Sequence, residues 1–255
     1  MKSPLVLLQQ FGALFVSALL VGPTLAAEVT VFAAASLSDS LKEIAPAYTK
    51  VTGDTLRFNF GASGALARQI KEGAPADVIF SADELRVDQL EKAGLLAPGT
   101  RRTILANQLV LVAATDGGAP VATLADLAKA EVKRIAIGEP ATVPAGTYTM
   151  EHLQKLGLWS QVGGKCVPLD NVRAVLAAVE AGNADVGFVY RTDALHSKKV
   201  RVALAVPVGS GPLITYPAAA LRDAKSPAVA ARLVVFLAGP EAQAVFARYG
   251  FLPAP

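Results

Sequence analysis

Asp170–Tyr190 reads DNVRAVLAAVEAGNADVGFVY, and its two halves follow different rules. Val172, Val175, Leu176 and Val179 recur at i, i+3, i+4 and i+7, the spacing that puts an apolar stripe on one side of an α-helix. Asp170 or Asn171 stands ahead of that run as an ordinary N-cap. Ala184–Val189 (ADVGFV) then reads as a short buried strand. A helix running straight into a buried strand is the repeating unit of an α/β fold.

The same alternation extends in both directions. Upstream, Glu28–Phe32 (EVTVF) is a strand, and Leu37, Leu41, Ile44, Ala45 and Tyr48 share a helical face that Gly53 ends. Leu56–Phe60 and Asp77–Phe80 are further strands, followed by helices over about 65–72 and 84–93. Gln108–Ala114 (QLVLVAA) is a strong central strand. A short helix over 124–130 is capped by Thr123, a strand covers 134–137, and a helix covers about 145–156. Downstream come strands over 200–206 and 213–221 and two closing helices, 227–237 and 241–249. This order predicts mostly parallel sheets with right-handed crossovers.

The chain has 255 residues, enough for two domains, and 53% are hydrophobic, so a sizeable core is available. Cys166 is the only cysteine, which excludes a disulfide scaffold and leaves a buried structural thiol as the expectation. Lys and Arg exceed Asp and Glu by three and never form a run longer than two, so no basic stripe for nucleic acid exists. There is no H-E-x-x-H, C-x-x-C or G-x-x-x-x-G-K-[ST] motif. GASG at 61–64 lacks the spacing of a nucleophile elbow. His152 and His196 have charged neighbours and read as surface residues. The tyrosines at 48, 148, 190, 216 and 249 are scattered, unlike the adjacent tyrosines of a ferric-ion binder.

Residues 1–26 read as an address. One charge, Lys2, precedes a mostly apolar stretch, and Thr24-Leu25-Ala26 offers the small residues a signal peptidase requires. The unbroken apolar part, Phe11–Val21, falls short of the roughly 20 residues of a spanning helix. Cleavage after Ala26, with no cysteine nearby for a lipid anchor, predicts a periplasmic mature chain that is not inserted in the membrane.

Four strand-to-helix turns have the chemistry of an anion site. They are Ala33-Ala34-Ala35-Ser36, Gly61-Ala62-Ser63-Gly64, Val143-Pro144-Ala145-Gly146 and Asp170-Asn171-Val172-Arg173. Helix N-termini present unpaired N–H groups and a partial positive charge, and in open α/β sheets they point at the ligand. Each turn has a capping explanation when taken alone: Ser36 with Asp39 matches a capping box, Ser63 could cap likewise, and Pro144 suits a helix start. All four at the carboxyl ends of strands favour an anion site.

VFAAASL (31–37), FGASGALARQI (60–70), GAPADVIFSAD (73–83), VPAGTY (143–148), DNVRAVLAAVEAGNADVGFVY (170–190) and RYGF (248–251) together resemble the periplasmic molybdate-binding proteins of ABC importers. The resemblance covers essentially the whole chain after residue 26. It implies a two-lobed α/β clamshell, type II-like, joined by a two-strand hinge, with an oxyanion between the lobes. It further implies hydroxyl donors at Ser36, Ser63 and Tyr190, and backbone N–H donors at Ala145 and Val172. These meet molybdate or tungstate through its oxygens, without direct ligation of the metal. A monomer that hands its ligand to a membrane permease, with no cofactor and no enzymatic activity, completes the implied picture.

The expected lobes are 27–107 with 218–255, and 108–217, with QLVLVAA and LITYPAAAL as the paired hinge strands. Donors alone select a fully ionised oxyanion, because a protonated one brings a proton with nowhere to go. Sulfate meets that criterion too, so a sulfate receptor of the same fold stands as an alternative, as does an exported hydrolase using Ser63. Arg68, Arg173, Asp77 and Asp83 read as bonding and capping groups internal to their lobes.

Overall fold

The computed structural model describes Ala26–Pro255, so the expected signal peptide lies outside the described residues except for Ala26. β1 (Glu28–Ala34) runs through a 3-10 turn (Ala35–Leu37) into α1 (Ser38–Thr52). β2 (Thr55–Gly61) leads into α2 (Ser63–Lys71), β3 (Val78–Phe80) into α3 (Glu84–Lys92), and β4 (Arg102–Asn107) closes this first stretch. After β5 (Leu109–Ala114) come β6 (Ile135–Gly138), α4 (Pro144–Lys155) and α5 (Trp159–Val162). β7 (Cys166–Leu169), α6 (Val172–Glu180), β8 (Val186–Tyr190), α7 (Arg191–Leu195) and β9 (Val200–Ala205) follow. The chain ends with β10 (Ile214–Ala220), α8 (Pro227–Leu237), α9 (Pro240–Arg248) and β11 (Leu252–Pro253).

The strands form two sheets, in the orders β11-β4-β10-β3-β1-β2 and β7-β6-β8-β5-β9. In the first, β2, β1 and β3 are parallel, whereas β10 runs antiparallel to both β3 and β4. In the second, β7, β6 and β8 are parallel and β5 is antiparallel to β8 and β9. The sheets are therefore mixed rather than mostly parallel. The cause is topological: β5 and β10 each follow a crossing from the other sheet and enter against the direction of the βα units.

The expected hinge pairing is corrected in the same way. QLVLVAA becomes β5 and LITYPAAAL becomes β10, and these two lie in different sheets. The crossings are the junction at Asn107–Gln108 and the segment 206–213. They are bonded to each other: Gln108 Nε2 donates to the Val206 carbonyl at 2.9 Å and Val206 N–H to the Leu109 carbonyl at 3.0 Å. The boundary expected at 217/218 falls inside β10, all of whose pairing is with the first sheet.

Burial follows the predicted faces. Leu41, Ile44 and Tyr48 of α1 and Val172, Val175, Leu176 and Val179 of α6 are buried against their sheets. One glycine is fixed by packing rather than by φ. A Cβ on Gly146 would stand 1.9 Å from the Gly138 carbonyl oxygen, so only glycine lets α4 lie directly on the end of β6. Among the described residues no single helix is long and apolar enough to cross a membrane.

Candidate functional site

β1 and β2 pair in register from Glu28↔Thr55 to Ala34↔Gly61, so both finish at the same edge of the first sheet. The 3-10 turn carrying Ser36 and the first residue of α2, Ser63, therefore rise side by side. In the second sheet, α4 and α6 start beyond the carboxyl ends of β6 and β7, and β8 ends at Tyr190 beside them.

These five positions meet at one small cavity. Ser36 and Ser63 line it from one lobe, and Ala145, Val172 and Tyr190 from the other; Ala62, Ala82, Val143 and Pro144 supply small or apolar walls. The volume open to the centre of a water-sized sphere is about 10 Å³, the scale of one small ion and far too little for a sugar or peptide. Among the described residues, the lining contains no Lys, Arg, His, Asp or Glu.

Neither serine caps its helix. Ser36 Oγ lies 3.0 Å from the Tyr216 hydroxyl, and Ser63 Oγ accepts from the Ala82 N–H at 2.9 Å. The capping explanations hold instead in the second lobe. Pro144 occupies the first turn of α4, and Asn171 Oδ1 accepts from the N–H groups of Arg173 and Ala174 at 3.0 Å. Those caps leave the first-turn N–H groups of Ala145 and Val172 without an intrahelical acceptor.

The Tyr190 hydroxyl is buried and has no hydrogen-bond partner among the described residues. Burial, above all, holds its pKa well above the ordinary phenol value, so it is a donor at every physiological pH. An unpaired buried hydroxyl costs free energy, and this one belongs to the lining of the cavity.

The two lobes touch around the cavity. Gly64 N–H donates to the Thr142 carbonyl at 3.0 Å, and Arg86 Nη2 to the Ala141 carbonyl at 2.8 Å. A Cβ on Gly64 would stand 2.6 Å from the Thr142 carbonyl oxygen, so this contact requires glycine. Arg173 reaches Asp39 of α1 at 2.8 Å and the wholly buried Asp193 at 2.9 Å.

Arg173 is thus not internal to its lobe, as expected from sequence, but bridges the cleft. Asp77 and Asp83 behave as expected: Asp77 accepts from the N–H groups of Thr30 and Lys225, and Asp83 caps α3. Arg68 faces Glu72 on the helix surface. His152, expected at the surface, is buried on α4, whereas His196 is exposed and packs on Tyr249 with ring centroids 4.6 Å apart. Cys166 is only half-buried, its Sγ 3.4 Å from the Val162 carbonyl, and burial pushes its thiol up to about 11. The tyrosines are not all scattered in space: Tyr190 and Tyr216 pack edge to face with centroids 5.9 Å apart.

Sequence reasoning missed Tyr216, Asn107 and Thr192. Asn107 Nδ2 donates to the Tyr216 hydroxyl at 3.1 Å and to Thr192 Oγ1 at 3.0 Å, linking the first crossing to α7 and to β10, whose Tyr216 meets Ser36.

Residues 29–252 match the family described as bacterial extracellular solute-binding protein. The chain belongs to that family. It is similar to a Bacillus subtilis protein named as an ABC transporter substrate-binding lipoprotein, YvgL, at 42% identity over 88% of this chain and 85% of that one. It is also similar to the molybdate-binding protein ModA of Escherichia coli, at 38% identity over 96% of this chain and 97% of the relative. The solved periplasmic molybdate-binding protein of Azotobacter vinelandii superposes with a TM-score of 0.81 at 27% identity, covering 89% of this chain and 100% of that one. The two sheets with their flanking helices are accordingly the lobes of a periplasmic-binding-protein clamshell, and the family is one of transport rather than catalysis.

Proposed function

We propose that this protein binds molybdate, and with it tungstate, as a dianion between its lobes and delivers it to the permease of an ABC importer. The observation that carries this reading is the convergence of Ser36, Ser63, Ala145, Val172 and Tyr190 on one ion-sized cavity with no charged side chain in its lining among the described residues. Three hydroxyls and two helix N-termini hold an oxyanion by oriented dipoles, which bind a dianion without the permanent countercharge that would oppose release. The similarity to proteins named for molybdate supports the choice of ion.

The lobes in this proposal are 27–107 with 214–255, and 108–213, the return being moved to the start of β10. The protein works as a monomer and is not an enzyme. Ser63 faces a backbone N–H rather than a base, and among the described residues no His or carboxylate lines the cavity to activate it. Export to the periplasm follows from the reading of residues 1–26. Cleavage after Ala26 would turn Ala27 N, which lies 2.9 Å from Asp54 Oδ1, into an ammonium facing a carboxylate.

Calorimetric titration with molybdate, tungstate, sulfate and phosphate tests the assignment. Tight binding of the first two with weak sulfate binding is expected. Sulfate binding as tight as molybdate overturns the ion assignment while keeping the site.

A further inference from the structure

We infer that Tyr216, backed by Asn107, is a positioning residue that fixes Ser36 as a hydrogen-bond donor toward the cavity and so sets the site against protonated oxyanions. This rests on the oxyanion reading above. Tyr216 lies on β10, fully buried, and is not part of the cavity lining.

At 3.0 Å, either Ser36 Oγ or the Tyr216 hydroxyl could be the donor. Asn107 breaks that tie. Its Oδ1 accepts from the Gln108 N–H at 2.9 Å, which identifies the other end of the amide as the NH₂ group. That NH₂ donates to Tyr216 and to Thr192, and having no lone pair to offer it accepts nothing. The Tyr216 oxygen is therefore an acceptor on the Asn107 side, and Ser36 Oγ is the acceptor available for its own proton. The reverse order would leave a buried phenol proton unpaired.

Protons thus run in one direction, from Asn107 to Tyr216 to Ser36 to the cavity. Ser63, already accepting from the Ala82 N–H, has its proton free in the same sense. The Tyr190 hydroxyl has no other partner among the described residues. Hydrogen phosphate and sulfate in mildly alkaline solution carry the same charge and nearly the same size, but only hydrogen phosphate brings a proton of its own. With Ser36 held as donor, that proton loses Ser36 as an acceptor and is left with the lone pairs of the other hydroxyls.

Tyr216→Phe keeps the ring and removes the relay. A water in the vacated space turns either way, so Ser36 becomes free to accept. Asn107→Asp gives the same sign by a different route. A carboxylate there draws the Tyr216 proton, and Tyr216 then takes the proton of Ser36. Displacement of bound molybdate by phosphate and by sulfate at mildly alkaline pH reads the effect, with circular dichroism confirming the fold of each variant.

Phosphate is expected to displace molybdate from either folded variant at a concentration at least tenfold lower, relative to sulfate, than from the wild type. An added negative charge alone would shift both dianions together. Phosphate and sulfate moving in parallel, or neither moving, overturns the relay. If the wild type does not bind molybdate, the ion assignment fails, and the phosphate-to-sulfate ratio is then measured by direct titration with the two anions.

Discussion

The guanidinium of Arg173 stands 2.9 Å from the carboxylate of Asp193, which is wholly buried in α7. The contact is ionic rather than an aligned hydrogen bond, since neither atom finds a well-directed partner among the described residues. The second Asp193 oxygen accepts the Tyr190 N–H at 3.1 Å. One cation therefore supports the end of the strand that carries the Tyr190 hydroxyl, and reaches Asp39 across the cleft as well.

Arg173→Met leaves Asp193 buried without its cation and is expected to lower stability by roughly 3 kcal/mol. Adding Asp193→Asn in the same chain removes the stranded charge and should recover most of that loss. Urea unfolding of the single and double variants measures both. A double variant no more stable than Arg173→Met would show that the pair does not govern this corner of the fold.

Burial raises the Asp193 pKa to about 6, with Arg173 and the Tyr190 N–H pulling it the other way. The folded protein therefore holds this proton more tightly than the unfolded chain. Between about pH 4 and 6 the native state binds the extra proton, so this residue's contribution to stability falls as pH rises through that window. The difference amounts to roughly 3 kcal/mol. Asp193→Asn should remove that part of the pH dependence, seen by comparing unfolding midpoints of the two proteins across the window; identical profiles would contradict it.

Gly64→Ala places a methyl group against the Thr142 carbonyl, which belongs to the opposite lobe. Molybdate affinity should fall at least tenfold, about 1.4 kcal/mol, whereas ligand-free stability changes by about 1 kcal/mol or less. Calorimetry and small-angle scattering give the two readouts. A variant that binds and compacts like the wild type would mean that this contact does not limit closure.

Ser36→Ala, Ser63→Ala and Tyr190→Phe should weaken molybdate by roughly 1–3 kcal/mol each. Their effects on the ligand-free fold separate. Ser63→Ala strands the buried Ala82 N–H, and Ser36→Ala strands the Tyr216 proton, so each costs about 1 kcal/mol or more. Tyr190→Phe strands nothing, since its hydroxyl has no partner to lose among the described residues, and its stability should stay within about 0.5 kcal/mol of wild type. Loss of affinity without loss of stability in Tyr190→Phe alone is the expected signature, measured by titration and by urea unfolding.

The turns that converge on the cavity were legible because their chemistry is local. Asn171 caps α6 within three residues, Pro144 starts α4, and the apolar period of Val172–Val179 needs no distant partner. What sequence reasoning missed depends on distance along the chain. Tyr216 meets Ser36 across 180 residues and Asn107 across 109, and nothing in either neighbourhood announces the meeting. β4 escaped notice because its first residues, Arg102 and Thr103, are exposed and polar; β7 escaped because it is a half-exposed edge strand containing Pro168. The hinge was misread because apolar runs such as QLVLVAA reveal a central strand but not which sheet it joins.

Anomalous X-ray diffraction at the molybdenum edge, on crystals grown with molybdate, tests most directly the claim that neutral donors from both lobes hold the ion. The account predicts one strong peak, between Ser36 and Ser63 on one side and the N–H groups of Ala145 and Val172 with the Tyr190 hydroxyl on the other. A peak seated against Arg173 or another cation, or none in the cleft, would contradict it.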